Sequence, residues 1–245
     1  MKKPDPPNPI QIAGIVLVVL LCGAIAFMTA RAVRHSSAKQ ARSSTSPAAA
    51  TAGGGLRIGS ETAPVTVTIY LDYMCPYCGK FEQANGADLQ QLVTDGAAKV
   101  ELHPLAFLDR MSNGTEYSSR TANAAATVAD RASDKLLDFT TTLYAHQPEE
   151  NSPGLTDAQI AELAIGAGVP GAVADTFTAK RFAGWVSDAT DKAVKSGIDS
   201  TPTILVNGVK VTTNLLTAGA LRTAVAAAAA AAAAAPLPPS PTSTK

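Results

Sequence analysis

The chain has 245 residues, 46% hydrophobic and 16% charged, which allows one domain of ordinary size with extensions. Lys plus Arg and Asp plus Glu each number 20, for a formal net charge of zero, and no basic stripe stands out; this sets nucleic-acid binding aside. The three cysteines, Cys22, Cys75 and Cys78, are too few for a disulfide-stapled scaffold, and the close pair spans too small a loop to stabilise a fold.

Residues 1–9 form a short Pro-rich segment with Lys2 and Lys3, read as a cytoplasmic N-terminus. Residues 10–30 are apolar apart from Gln11, Thr29 and a few glycines, and about 20 such residues span a bilayer as a helix. Ala30-Arg31-Ala32 is a leader-cleavage pattern, so a removed signal peptide stands beside the favoured reading, an uncleaved transmembrane anchor. Cys22 follows Leu21 rather than a small residue, which argues against a lipoprotein site and leaves an inert lipid-facing thiol. Arg31, Arg34, Lys39 and Arg42 outnumber Lys2 and Lys3, so the flanking charges alone put the C-terminal side in the cytoplasm. The cysteine chemistry points the other way.

Residues 31–57, rich in Ser, Ala, Thr and Gly, read as a flexible linker, and the folded domain is assigned to 58–224. Pro64 to Leu71 alternates β-branched residues as a strand does. The cysteine pair follows, then a helical pattern from Gly79 to Val93 and a second strand from Lys99 to Leu105. Ser118 to Tyr144 is Ala-rich with helical period; Thr156 is an N-cap for the next helix; Val169 to Lys195 supplies one or two more, with the one Trp, Trp185, read as a core anchor. Pro202 to Val206 is a strand, Asn207-Gly208 a hairpin turn, Val209 to Thr212 the returning strand, and Leu215 onward a helix. Residues 225–245 carry the alanine run and a Pro/Ser/Thr-rich end, read as a helix extension and a disordered tail. Strands at both ends with helices between them predict an α/β sheet with a helical insertion at about 111–193.

A Cys-x-x-Cys pair serves either as half of a zinc site or as a redox dithiol. A structural zinc site needs four ligands, and here no second pair exists and His35, His103 and His146 are scattered singly. Cys75 instead follows a strand where a helix begins, so the first-turn amides and the helix dipole favour its thiolate. Pro76 suits a first helical turn because its missing N–H is not needed there. Tyr77 can touch a substrate, and Cys78, one turn on, is placed to attack a mixed disulfide at Cys75. His103 at the end of a strand is read as an edge or packing residue, with tuning of the thiols as the sharper alternative. Asp109, Arg110 and Glu116 give no constellation.

Asp72-Tyr73-Met74-Cys75-Pro76-Tyr77-Cys78, with Gly197 to Gly208 (GIDSTPTILVNG) far downstream and Trp185 before it, resembles the DsbA-like branch of the thioredoxin superfamily. The organisation, an N-terminal anchor and a Pro/Ala-rich tail, is similar to actinobacterial versions. The resemblance implies a thioredoxin fold with an inserted helical subdomain covering the site. It makes Cys75 the exposed nucleophile, Cys78 the buried resolving cysteine, and Pro202 a cis-proline against the disulfide. Pro76, Tyr77, Thr201 and Pro202 then contact an extended substrate segment, Thr201 through its backbone. It implies no bound cofactor and no metal. The substrates would be reduced secreted or envelope proteins, and the reoxidant a quinone-linked membrane protein of the DsbB or vitamin-K-epoxide-reductase type. One departure concerns proton handling: many members place a buried carboxylate six residues before the first cysteine, where this chain has Ile69. The nearest acid is Asp72, read as a turn-forming or solvated residue with proton handling as the alternative. The chain is thus expected to be an extracytoplasmic, single-pass dithiol oxidase. The rivals are an isomerase or reductase on the same fold and a non-catalytic peptide-binding module.

Overall fold

The computed structural model describes residues 45–234. The apolar run at 10–30, Cys22 and the Pro/Ser/Thr-rich end lie outside the described residues. Among the described residues no helix is long and apolar enough to cross a membrane.

Five strands form one mixed sheet in the order β1-β3-β2-β4-β5. They are β1 (Leu56–Ile58), β2 (Val65–Leu71), β3 (Ala98–Pro104), β4 (Thr203–Val206) and β5 (Val209–Lys210). Strand β2 is central. It runs parallel to β3, from Val65 opposite Ala98 to Leu71 opposite Pro104, and antiparallel to β4, with Val67 opposite Val206. Its period-2 pattern is kept in the fold: Val65, Val67, Ile69 and Leu71 are buried while Thr66, Thr68 and Tyr70 between them are half-buried. Helix α1 (Pro76–Thr94) connects β2 to β3 and buries Cys78, Phe81, Leu89 and Leu92.

Between β3 and β4 lies a helical block: α2 (Tyr117–Arg131), α3 (Leu136–Ala145), α4 (Asp157–Gly166), the single turn α5 (Gly171–Ala174) and α6 (Ala183–Lys195). The periodic stretch from Ser118 to Tyr144 is two helices rather than one. Ala132 leaves the helical region at φ −154, and Ser133 and Asp134 follow, residues whose side chains compete with the helix for backbone partners. Thr156 is the N-cap of α4, in a reciprocal capping box with Gln159. Trp185 is buried in α6. Asn207 and Gly208 both have positive φ, 49 and 78, as a type I′ hairpin turn requires. Asn207 also ties the turn to β2, accepting at its side chain from the Thr66 amide.

The last helix, α7 (Ala220–Ala234), starts five residues later than the sequence suggests. The buried side chain of Asn85 on α1 explains the late start. It donates to the Leu215 carbonyl and accepts from the Leu221 amide, holding the intervening turn against α1. Beyond Val225 the helix is alanine alone, carried by intrinsic propensity.

The stretch read as linker ends earlier than position 57. Residues 45–55 pack as a strap: Ala50 bridges Leu56, Arg57 donates to the Ala49 carbonyl, and Leu56 is fully buried in β1. The glycines there serve close packing, since a Cβ on Gly55 would lie 2.5 Å from the His103 ring nitrogen. A three-residue strand between Gly55 and Gly59 is too short for its pattern to stand out from composition.

Candidate active site

The sheet and α1 place the cysteine pair where β2 ends. Cys75 is the N-cap of α1 in extended conformation, with Pro76 in the first turn. Its backbone is fixed by a tight turn, the Cys75 amide donating to the Asp72 carbonyl at 3.0 Å. The two thiols are unpaired and both residues are buried. Cys75 was expected to be exposed; the residue is 6% accessible against 1% for Cys78, so the difference between them is small. What stands open beside the thiol is Tyr77, 58% accessible, with the Lys80 ammonium 5.0 Å from its ring centre.

The two sulfurs are nonetheless electrostatically unlike. A hydrogen bond from the Cys78 thiol lowers Cys75 from 9.0 to about 6; burial opposes this, and the Thr201 hydroxyl and the amides of Cys78 and Tyr77 assist. Burial pushes Cys78 well above its ordinary value, reinforced by the bond it gives to Cys75 and by the charge that forms there. Hence one thiolate is stable near neutrality and the other is not.

The downstream segment meets the pair as expected. The Thr201–Pro202 bond is cis, and the Thr201 carbonyl accepts from Cys75 Sγ at 3.3 Å. Thr201 and Pro202 are both half-buried.

Asp72 is neither solvated nor merely turn-forming. It is fully buried. Oδ1 accepts from the Met74 amide at 2.9 Å and the Ser118 hydroxyl at 2.7 Å, and Oδ2 accepts from the Leu108 amide at 2.9 Å. Burial raises its pKa to about 6 against the lowering effect of those donors, with a smaller push from Cys75. The sequence could not reveal this, because two of the three donors come from residues 36 and 46 positions away. Ile69, at the position where a carboxylate was sought, is core. A cavity of about 10 Å³, the scale of one water, lies behind Cys78 and is lined by Ile69, Glu82, Thr140 and Tyr144 among others. Glu82, one turn beyond Cys78, is raised by burial while the Thr141 hydroxyl donates to it.

One face of α3, with the residue just past its C-cap, holds the redox turn, and sequence reasoning missed it. Thr140, Tyr144 and Gln147 follow at i, i+4 and i+7. The Thr140 hydroxyl meets the Tyr73 hydroxyl at 3.0 Å, and the Tyr144 hydroxyl donates to the Asp72 carbonyl at 3.1 Å. Gln147 Nε2 donates to the carbonyls of Tyr73 and Cys75. The available signal was polar side chains at helical spacing on the buried side of an apolar helix.

Other residues singled out do structural work. His103 lies on β3, an inner strand, its ring tilted against that of Tyr70 with centres 4.3 Å apart; burial, then the Lys192 charge, hold it near 4, so it is a neutral packing residue under the strap. Asp109 accepts from the Ser119 amide and hydroxyl, Arg110 donates to the Phe107 carbonyl, and Glu116 occupies a left-handed position before α2.

A central parallel βαβ unit, an N-capping low-pKa cysteine, a buried partner one turn on and a cis-proline beside them define a thioredoxin-fold dithiol site. The family model described as Thioredoxin matches residues 51–227. The reduced disulfide bond oxidoreductase DsbG of Mycobacterium tuberculosis is similar at 30% identity and TM-score 0.62, over 76% of this chain and 97% of that one. The thiol-disulfide oxidoreductase MdbA of Actinomyces oris is similar at 25% identity and TM-score 0.65, over 76% and 92%. The serine/threonine-protein kinase PknE of M. tuberculosis shares 37% identity over 114 residues, 45% of this chain and 20% of the kinase, so the chain spans about a fifth of that relative. The chain belongs to the thioredoxin family, in its DsbA-like thiol–disulfide oxidoreductase branch.

Proposed function

We propose that the protein is a dithiol oxidase that introduces disulfides into reduced secreted or envelope proteins. A substrate thiolate attacks Cys75 Sγ of the Cys75–Cys78 disulfide; the S–S bond breaks and Cys78 leaves as a thiolate that takes up a proton. A second substrate thiolate then attacks the substrate sulfur of the mixed disulfide and releases Cys75 as a thiolate. The substrate loses two electrons and the enzyme becomes the dithiol. The observation that carries this reading is the asymmetry of the pair: a Cys75 thiolate favoured at neutral pH stabilises the reduced enzyme and makes Cys75 a good leaving group.

Pro76, Tyr77, Thr201 and Pro202 receive an extended substrate segment, and Asp72 influences ionisation at the turn. Residues 10–30 anchor the chain, with the catalytic domain outside the cytoplasm. A quinone-linked membrane protein of the DsbB or vitamin-K-epoxide-reductase type returns the dithiol to the disulfide. The test is refolding of a reduced, disulfide-requiring protein by the oxidised enzyme. Stoichiometric appearance of substrate disulfides is expected, with complete loss in Cys75→Ser. Unchanged biological activity in that variant would support a peptide-binding module instead.

A further inference from the structure

Gln147 belongs to no sequence motif, yet it grips the peptide that carries the nucleophile. It lies just past the end of α3, and its Nε2 donates to the Tyr73 carbonyl at 3.0 Å and the Cys75 carbonyl at 2.9 Å. Two carbonyl partners fix which way the amide faces: nitrogen toward the turn, oxygen toward Gly79. The Cys75 carbonyl also accepts from the amides of Cys78 at 3.0 Å and Gly79 at 3.2 Å. Because Pro76 has no N–H, the peptide between Cys75 and Pro76 can be held only through this oxygen. Three donors converge on it. The result is a Cys75 backbone at φ −71, ψ 117, the extended N-cap geometry that sets Sγ against the first-turn amides.

Gly79 is the second half of the device. A Cβ there would lie 2.4 Å from Gln147 Oε1. Glycine is a poorer helix former than alanine, and here its lack of a side chain is what admits the amide. The two residues are 68 positions apart in sequence and form one lock.

We propose that Gln147, seated through Gly79, is a positioning residue for the Cys75 nucleophile, holding the Cys75–Pro76 peptide so that Sγ keeps its thiolate-stabilising donors. It touches no reacting atom. The proposal rests on Cys75 being the exchanging thiol and is independent of the direction of exchange.

The test uses the full chain and the variants Gln147→Ala, Gly79→Ala and their combination. Gly79→Ala keeps the fold, because alanine is the better helix former and the atom it meets is the free end of a side chain. Two quantities are read: the Cys75 thiolate midpoint from its ultraviolet absorbance, and the dithiol–disulfide equilibrium with glutathione. Each single variant is expected to raise the midpoint and shift the equilibrium about tenfold toward the disulfide, about 30 mV for a two-electron couple. The double variant is expected to match Gln147→Ala. An unchanged midpoint and equilibrium in Gln147→Ala would overturn the proposal, as would additive effects of the two substitutions. The absorbance midpoint is readable whether or not the protein oxidises a substrate, so this proposal and the functional reading can fail separately.

Discussion

Cys75 and Cys78 are chemically the same and sit three residues apart, and the fold makes them opposites. Cys75 collects donors at a helix N-terminus and falls to about 6; Cys78 is enclosed and rises. Alkylation of the reduced protein is therefore expected to follow a single midpoint near pH 6 at Cys75, with Cys78 unreactive until the protein unfolds; equal labelling of both thiols at pH 7, read by mass spectrometry, would contradict this assignment. Asp72 is the other residue whose role the structure changes. Removing its carboxylate in Asp72→Ala leaves two backbone amides and the Ser118 hydroxyl without their acceptor. At about 1–3 kcal/mol for each buried group left unsatisfied, the two buried donors, the Met74 amide and the Ser118 hydroxyl, alone should cost at least about 2 kcal/mol by urea denaturation at pH 4, where the folded carboxyl is protonated, and the loss should be smaller at pH 7. Because burial raises Asp72 above its unfolded value of 3.8, its charge opposes folding at neutral pH, and that opposition lifts as the pH falls below about 6.

Among the elements, α3 does for the site what the sheet does not. The sheet sets where the turn begins, at the end of β2. The α3 face and the segment just past it set how the turn is held, through Thr140 and Tyr144 on the helix and Gln147 beyond its C-cap. Tyr144→Phe removes one buried hydroxyl donor while keeping the ring that packs against Tyr73 at 5.4 Å. A destabilisation of about 1 kcal/mol is expected from thermal unfolding; a neutral result would mean that the Cys75 amide, the other donor to the Asp72 carbonyl, suffices on its own. The hairpin is a separate case. Gly208 has φ 78, a conformation an L side chain rarely adopts, so Gly208→Ala should destabilise by about 1 kcal/mol without changing the chemistry of the thiols.

For the whole molecule, redox state and stability are linked. The depressed Cys75 stabilises the folded reduced protein fully above the unfolded thiol value of 9.0, and the contribution disappears as the pH falls through about 6. The disulfide form lacks this contribution, and Asp72 acts in both forms. The stability of the reduced form relative to the oxidised form should thus decline steadily from pH 9 to pH 6, in paired thermal melts, and level off below. What was legible in the sequence is what is local: the alternation of β2, the Thr156 cap, the Asn207-Gly208 turn, and the pairing of the Cys-x-x-Cys motif with a distant Thr-Pro before a strand. What was not legible depends on partners distant in sequence. Leu56 reads as linker until β3 covers it, Asp72 as a surface acid until Leu108 and Ser118 reach it, and Gln147 as an ordinary polar residue until Gly79 makes room. The nearly closed surroundings of Cys75 belong to the same group, since accessibility is set by the elements that pack around the turn.

The reduction potential of the Cys75–Cys78 pair decides whether the protein oxidises or reduces its substrates. A strong dithiol oxidant has a value of roughly −120 mV, which is the result expected; one of roughly −270 mV, that of a thioredoxin-type reductant, would refute the oxidase reading.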